Sequence, residues 1–151
     1  MRTLGCDLGN PGALVVLKEI DGDMPQPVFW REWTKLDLHQ LYTLVTAVLD
    51  EQGPIDVAAT ERPFTGAGDR RPGVGMAQRG KHDLVKAACE CAGVCFLNFP
   101  PQTIKKAATG NGRASKAQVA AIIGRLTGLR GSDHLTDAAA IAMTAMARGG
   151  K

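Results

Sequence analysis

Long apolar runs, aromatic residues and spaced cysteine pairs are scarce in this chain of 151 residues. No stretch approaches the roughly eighteen consecutive apolar residues that a membrane span needs. The first residues, MRTLGCDLGNPG, reach the acidic Asp7 too early for a signal peptide. These absences predict a soluble, intracellular protein of the cytoplasm that makes no contact with a membrane.

The four cysteines are Cys6, Cys89, Cys91 and Cys95, and the last three fall within the stretch CECAGVC. With His82 as a fourth ligand, these three could bind zinc, but the CxxC spacing of structural zinc sites is missing and no second cluster exists. We therefore expect free, buried thiols that behave as small apolar residues, which suits a reducing compartment.

Composition favours one globular domain over residues 1–151, because 44% of the residues are hydrophobic and the length leaves no room for two full domains. The net charge of +3 hides an asymmetry. Residues 62–130 contain twelve Lys or Arg against three acids, a charge of +9, while the rest of the chain carries −6. A basic segment of this kind indicates a polyanionic partner such as nucleic acid, although a merely basic surface is the alternative.

The hydrophobic pattern alternates with period two and then changes to a helical period. It predicts an α/β fold with a mixed five-stranded sheet, three antiparallel strands first and parallel strands after, flanked by helices on both faces. The predicted strands are 3–9, 12–18, 27–33, 55–61 and 94–99, and the predicted helices are 35–52, 76–92, 102–108, 115–126 and 132–146. Thr34 and Ser115 are the expected N-caps, and residues 65–75 and 109–115 are expected to be loops.

Four ionisable residues stand at the ends of these elements. Asp7 interrupts the first strand, Glu61 ends the fourth strand, and His134 and Asp137 lie three apart in the first turn of the last helix. If the first and fourth strands are neighbours, their acids converge and repel unless a cation sits between them. Mg²⁺ or Mn²⁺ would resolve that conflict, although each acid alone is an ordinary strand-end or helix-start residue.

Two further residues favour a phosphate-bearing substrate. Lys116 occupies the first turn of its helix, where a cation opposes the helix dipole, so it is expected to act outside the helix. Phe64 opens the glycine-rich loop and could stack on an unpaired base, an interaction worth roughly 1–3 kcal/mol. The alternatives are a solvated surface lysine and an aromatic anchor for the loop.

With LGCDLG, ATERPF, SKAQV and HLTDAAAIAMTA present in this order, the chain resembles the RuvC-type Holliday junction resolvases of bacteria and their phages over nearly its whole length. The resemblance implies an RNase H-like fold and a metal-dependent endodeoxyribonuclease that cleaves Holliday junctions and related branched DNA. It implies a homodimer, formed through the helix 76–92, in the cytoplasm of a bacterial cell or a phage-infected host. It also implies two Mg²⁺ ions, replaceable by Mn²⁺, held by Asp7, Glu61, His134 and Asp137.

The same resemblance places Lys105 and Lys116 near the scissile phosphate and Phe64 at the junction. We expect further DNA contacts from the neighbouring basic residues Arg70, Arg71, Arg79, Lys81, Lys106 and Arg113. His134 stands where many family members have aspartate. The glycine- and arginine-rich loop after Glu61 departs from the family pattern and favours a phage-type member with broad branched-DNA activity.

Two other functions are compatible with the same residues. The chain could be a non-catalytic junction-binding protein on the same fold, with the acids unused. It could also be an RNase H-like nuclease that acts on RNA.

Overall fold

The computed structural model describes residues 1–63 and 74–149 of the chain. A five-stranded sheet with the order β3-β2-β1-β4-β5 forms its centre. The elements in chain order are β1 (Arg2–Asp7), β2 (Gly12–Lys18), β3 (Gln26–Trp33), α1 (Leu38–Glu51), β4 (Val57–Glu61), α2 (Val74–Cys91), β5 (Cys95–Phe99), α3 (Pro101–Thr109), α4 (Lys116–Thr127) and α5 (Asp133–Gly149).

Strand directions decide where the acids lie. The first three strands form an antiparallel meander, whereas β4 runs parallel to β1 and β5 runs parallel to β4. The predicted mixed sheet is therefore confirmed. Because β1 and β4 are parallel neighbours, Asp7 and Glu61 end their strands at the same edge of the sheet.

Helices cover both faces of the sheet, as predicted, and each face has its own hydrophobic core. Leu4 and Cys6 of β1 face the core that α1 and α2 complete. The opposite core contains Ala13, Val15 and Val57 of the strands together with α3, α4 and α5. Alternation along β1 therefore places Asp7 on the α5 face, since Asp7 is one residue beyond Cys6.

The central helix α5 lies directly on β1. A Cβ added at Gly5 would overlap the Ala138 carbonyl oxygen and stand 2.5 Å from the Ala142 nitrogen. Next to this contact, the Thr3 hydroxyl donates a hydrogen bond to the Ala142 carbonyl at 3.0 Å. Glycine at position 5 thus permits a backbone-to-backbone approach that no other residue allows.

Several predicted boundaries are wrong by a few residues. Helix α1 begins at Leu38 rather than residue 35, because Asp37 and not Thr34 is its N-cap. The Asp37 carboxylate accepts a hydrogen bond from the backbone N–H of Gln40 at 2.8 Å. The backbone N–H of Asp37 donates to the Gln40 side-chain oxygen at 3.0 Å, which completes a capping box. The predicted cap at Ser115 is confirmed, and it forms the same kind of box with Gln118.

The second helix and the last helix are longer than predicted. Helix α2 begins at Val74, so the end of the predicted 65–75 loop is helical. The remainder of that loop lies outside the described residues. Helix α5 continues to Gly149, three residues beyond the predicted end. Within the described ranges, no helix has the length and apolar character that crossing a membrane requires.

Replacing Gly5 by alanine should destabilise the protein strongly, since neither backbone atom of α5 can move without displacing the helix. We expect a cost of about 3 kcal/mol and a fall in Tm of roughly 5–10 °C in thermal unfolding. Gly80→Ala in α2 is the control, because an added Cβ there meets no atom within 4 Å. Equal Tm values for the two variants would contradict the close packing of α5 on β1.

Candidate functional site

The five residues predicted to carry the chemistry line one cavity of about 340 Å³. The cavity opens at the sheet edge where β1 and β4 end. Asp7 comes from β1, Glu61 from β4, Lys116 from α4, and His134 and Asp137 from α5. The structure therefore brings together residues that are up to 130 positions apart in the chain.

Asp7 and His134 are in direct contact across the cavity. The Nδ1 atom of His134 lies 2.8 Å from the Asp7 carboxylate, and both side chains are partly buried. If Nδ1 carries the proton and donates to Asp7, the Nε2 lone pair remains for another ligand. This contact fixes the imidazole ring of His134 relative to the end of β1.

The start of α5 is attached to the far edge of the sheet. Glu32, on the edge strand β3, accepts a hydrogen bond from the Ser132 amide at 3.2 Å and a second bond from the Ser132 hydroxyl. Ser132 directly precedes α5, two residues before His134. Glu32 therefore helps to hold the turn of helix that carries His134 and Asp137.

Lys116 is held at the start of α4 by the Ser115–Gln118 capping box. Its ammonium group lies 3.7 Å from the Asp137 carboxylate, while 71% of the lysine side chain stays exposed. The capping box thus satisfies the helix end without an acidic side chain, and Lys116 is free to turn toward the acids. This placement explains why a lysine is tolerated in the first turn of α4.

Burial and mutual repulsion raise the pKa of two of the acids. Desolvation raises the pKa of Glu61, and the nearby carboxylates of Asp7 and Asp137 raise it further, while Lys116 and Lys105 lower it. Desolvation likewise raises the pKa of Asp137, which Lys116 and His134 lower and Asp7 raises. The site therefore concentrates negative charge that the protein alone only partly compensates.

The donor set fits a hard divalent cation. Three carboxylates and one imidazole face the same cavity, and Mg²⁺ and Mn²⁺ prefer oxygen donors of this kind. In residues 1–63 and 74–149, no three His, Cys, Asp or Glu side chains are grouped tightly enough to hold an ion as they stand. The four side chains thus share one cavity without forming a tight cluster.

A second cleft of about 230 Å³ lies on the α3 and α4 side of the acids. It is lined by Lys105 of α3 and by Ile141 of α5, and it shares Glu61, Lys116 and Asp137 with the first cavity. These three residues form a wall between the two clefts. A polymer lying across both clefts would pass directly over the acids.

The other predicted DNA contacts have different surroundings. Arg79 on α2, Lys106 on α3 and Arg113 after α3 are exposed. Lys81 is buried, and its ammonium group points to the Leu8 carbonyl rather than to solvent. Phe64, Arg70 and Arg71 lie outside the described residues.

Thr60 and His82 also line the first cavity, a position that was not predicted for either residue. The Thr60 hydroxyl and the Nε2 atom of His82 are buried and find no hydrogen-bond partner among the described residues. His82 contacts the Phe96 ring edge-on, and its Nδ1 atom lies 3.1 Å from Asp83. The period-two alternation of β4 could have shown that Thr60 and Glu61 face opposite sides of the sheet.

The prediction of buried thiols is correct for only two cysteines. Cys6 and Cys89 are buried, whereas Cys91, in the last turn of α2, and Cys95, at the start of the edge strand β5, are exposed. Burial raises the pKa of Cys6 well above its usual value and that of Cys89 to about 12. The thiols are free, and the described residues contain no zinc cluster around them or His82.

A family model described as crossover junction endodeoxyribonuclease RuvC matches residues 31–145 of this chain. Among curated relatives, the RuvC protein of Corynebacterium diphtheriae is 37% identical over 105 residues, which cover 68% of this chain and 60% of the relative. That of Helicobacter hepaticus is 48% identical over 52 residues, covering 32% of this chain and 28% of the relative. The chain thus spans less than two thirds of the length of these relatives.

Among solved structures, Thermus thermophilus RuvC superposes with a TM-score of 0.83 at 25% sequence identity, covering 99% of this chain and 97% of that one. A structure of the same Thermus protein in complex with a Holliday junction substrate superposes with the same TM-score and identity, covering 99% and 96%. The structural similarity therefore includes β1 with Asp7, which the family match from residue 31 leaves out.

Replacing Glu61 by glutamine should raise the Tm of the metal-free protein at neutral pH. The pKa of Glu61 is raised from 4.5, so ionisation costs stability as pH rises through the raised pKa. The gain of Glu61→Gln should therefore shrink as pH falls below that pKa. Thermal unfolding in EDTA across this range measures it.

Glu51→Gln, at the exposed end of α1, is the control for loss of a carboxylate outside the cavity and should leave Tm nearly unchanged at neutral pH. Added Mg²⁺ or Mn²⁺ should stabilise the wild type more than Glu61→Gln, because a carboxylate ligand is missing in the variant. A Glu61→Gln protein that is less stable than the wild type in EDTA at neutral pH would contradict charge repulsion at the site.

Proposed function

Because this chain belongs to the crossover junction endodeoxyribonuclease RuvC family, we propose that it is a divalent-metal-dependent endonuclease that cleaves Holliday junctions and related branched DNA. The observation that carries the proposal is the convergence of Asp7, Glu61, His134 and Asp137 with Lys116 in one cavity. A protein that only binds junctions has no physical need for acids that repel one another and the phosphates of its ligand.

Asp7, Glu61, His134 and Asp137 would hold the metal, with room for two Mg²⁺ ions and with Mn²⁺ as a substitute. Divalent ions bound there would activate water and stabilise charge on the phosphate that is attacked. The Asp7–His134 contact keeps the end of β1 and the start of α5 in register before the ions bind. Nε2 of His134 is the nitrogen that this contact leaves for a metal.

Lys116 would stabilise the charge that develops on the scissile phosphate. Its contact with Asp137 at 3.7 Å is loose and exposed, so phosphate can compete for the ammonium group. Lys105 approaches from the second cleft and would contact the same strand on the other side of the acids. Lys116 would thus act within the wall, and Lys105 beside it, at the point where the phosphodiester would be cut.

The DNA strand would lie across both clefts, and flanking duplex arms would contact the exposed cations Arg79, Lys106 and Arg113. We assign Phe64 to stacking on an unpaired base at the branch, and Arg70 and Arg71 to the phosphates beside it. The +9 charge of residues 62–130 supports this path, because all of these cations come from that segment of the chain. The stacking contact of Phe64 needs a distorted or branched substrate that exposes a base.

A homodimer would present two such sites to the two strands of a four-way junction. We place its interface on α2, where Met76 is 80% exposed and Tyr42 of α1 lines an adjoining groove with Cys91. The protein would act in the cytoplasm of a bacterial cell or a phage-infected host, where branched DNA arises during recombination and repair.

Asp137→Asn should reduce junction cleavage by roughly 100-fold or more while the protein stays folded, because a charged ligand of the metal is lost. Junction binding should be retained or tightened, since one carboxylate no longer repels phosphate. Cleavage of a labelled four-way junction with Mg²⁺ or Mn²⁺, and a binding titration in EDTA, measure the two effects.

Two outcomes would favour the other functions. Tight junction binding with no metal-dependent cutting by the wild type would indicate a non-catalytic junction-binding protein. Faster cutting of an RNA hairpin than of the DNA junction would indicate an RNA nuclease. Either result would contradict the proposed junction-resolving activity.

Lys116→Ala should lower the rate of the cutting step by roughly 100-fold and leave junction affinity nearly unchanged. Lys18→Ala is the matched control, because Lys18 is exposed and pairs with Arg2 at the opposite end of the strands from Asp7. Single-turnover kinetics separate the two parameters. An equal loss of affinity and rate would show that Lys116 only binds a phosphate and does not stabilise the transition state.

A further inference from the structure

A buried lysine stands behind the acidic cavity. Lys81 of α2 is 9% exposed, and its ammonium group donates to the Leu8 carbonyl oxygen at 3.4 Å. Lysine is rarely buried, because removing its charge from water is costly unless an opposite charge lies near it. One long hydrogen bond to a neutral carbonyl is a weak compensation for that cost.

Asp7 supplies the missing opposite charge. Leu8 follows Asp7 in the chain and lines the same cavity, so the ammonium group of Lys81 is held at the end of β1 that carries the acid. Burial lowers the pKa of Lys81 and the Asp7 carboxylate raises it, which means that the two charges attract each other. Lys81 approaches Asp7 from the α2 side of the sheet, whereas His134 approaches from α5.

Lys81 differs from Lys116 in one decisive way. Lys116 is largely exposed and can move toward a phosphate, but the Lys81 side chain is largely covered and its ammonium group donates to the Leu8 carbonyl. To reach the DNA backbone, the ammonium group would have to leave its covered position and lose the hydrogen bond to Leu8. Its charge therefore acts permanently on the cavity.

We propose that Lys81 is a positioning residue, a fixed internal counter-cation that holds the Asp7 end of β1 against α2 and weakens divalent-ion binding in the DNA-free protein. The inference rests on the proposed function, because it assigns Lys81 a role toward the metal that Asp7 would hold. It replaces the surface phosphate contact expected for Lys81 from its position in the sequence.

Lysine charges offset part of the negative charge of the cavity. Three carboxylates face the cavity, and the charges of the buried Lys81 and the exposed Lys116 offset part of their attraction for a cation. A phosphate arriving with the substrate restores negative charge and draws Lys116 away from Asp137. Tight ion binding would then coincide with DNA binding.

The test is Lys81→Met, which keeps the length and apolar stem of the side chain and removes its charge. Mn²⁺ binding to the DNA-free protein, measured by isothermal titration calorimetry, should tighten by roughly tenfold, because one repelling charge near the ion is lost. Lys81→Arg keeps the charge and should restore weak binding. Lys86→Met is the control on the same helix, since Lys86 is exposed and paired with Glu90 at 3.2 Å.

An Mn²⁺ affinity of Lys81→Met within twofold of the wild type, with both proteins folded by circular dichroism, would overturn the proposal. If the methionine variant does not fold, Lys81→Gln takes its place in the same titration under the same criterion. Junction cleavage by the wild type is measured in parallel. If the wild type cuts no DNA but Lys81→Met binds Mn²⁺ more tightly, the nuclease activity is refuted and the role of Lys81 stands. If the wild type cuts DNA but the two proteins bind Mn²⁺ equally, the nuclease activity stands and the role of Lys81 is refuted.

Discussion

The packing of α5 on β1 at Gly5 places His134 and Asp137 against the acids at the strand ends. Without a side chain at that position, the helix backbone rests on the strand, and its first turn comes level with the strand end. His134 then meets Asp7 at 2.8 Å, and Asp137 comes close enough to Glu61 for the two charges to interact. Glu32 fixes the same turn from the far edge of the sheet. The position of the acids is therefore a property of the core rather than of a loop.

The gathering of the acids in one cavity lowers the stability of the folded protein. Desolvation and mutual repulsion raise the pKa of Glu61 and Asp137, so the folded chain holds ionised groups that it would be more stable without. The exposed Lys116 and the buried Lys81 each offset part of the repulsion between the acids. A cation and a phosphate can complete this balance because the protein leaves it incomplete.

The architecture could be predicted from the sequence because it rests on strong, local patterns. Alternation in the strands, the helical period and the Ser115 cap all point to the same fold. The boundaries were less secure, since Thr34 and Asp37 are both good caps and only the partner at Gln40 distinguishes them. The acidic residues of the cavity could be predicted because they stand at the ends of strands and helices, but Thr60 and His82 could not. Burial decides the role of such residues, and no local pattern encodes it.

The uneven burial of the cysteines has a practical consequence. The thiolate is the form of cysteine that attacks alkylating reagents, so the buried Cys6 and Cys89, whose pKa is raised, will resist alkylation in the native protein. Cys91 and Cys95 stand in solvent around the turn that joins α2 to β5. Cys91 lines the groove that we assign to the dimer interface, whereas Cys95 lies outside it, at the end of β5 away from the acids. A fluorophore attached at Cys95 would follow the movement of single molecules on DNA without any engineered cysteine.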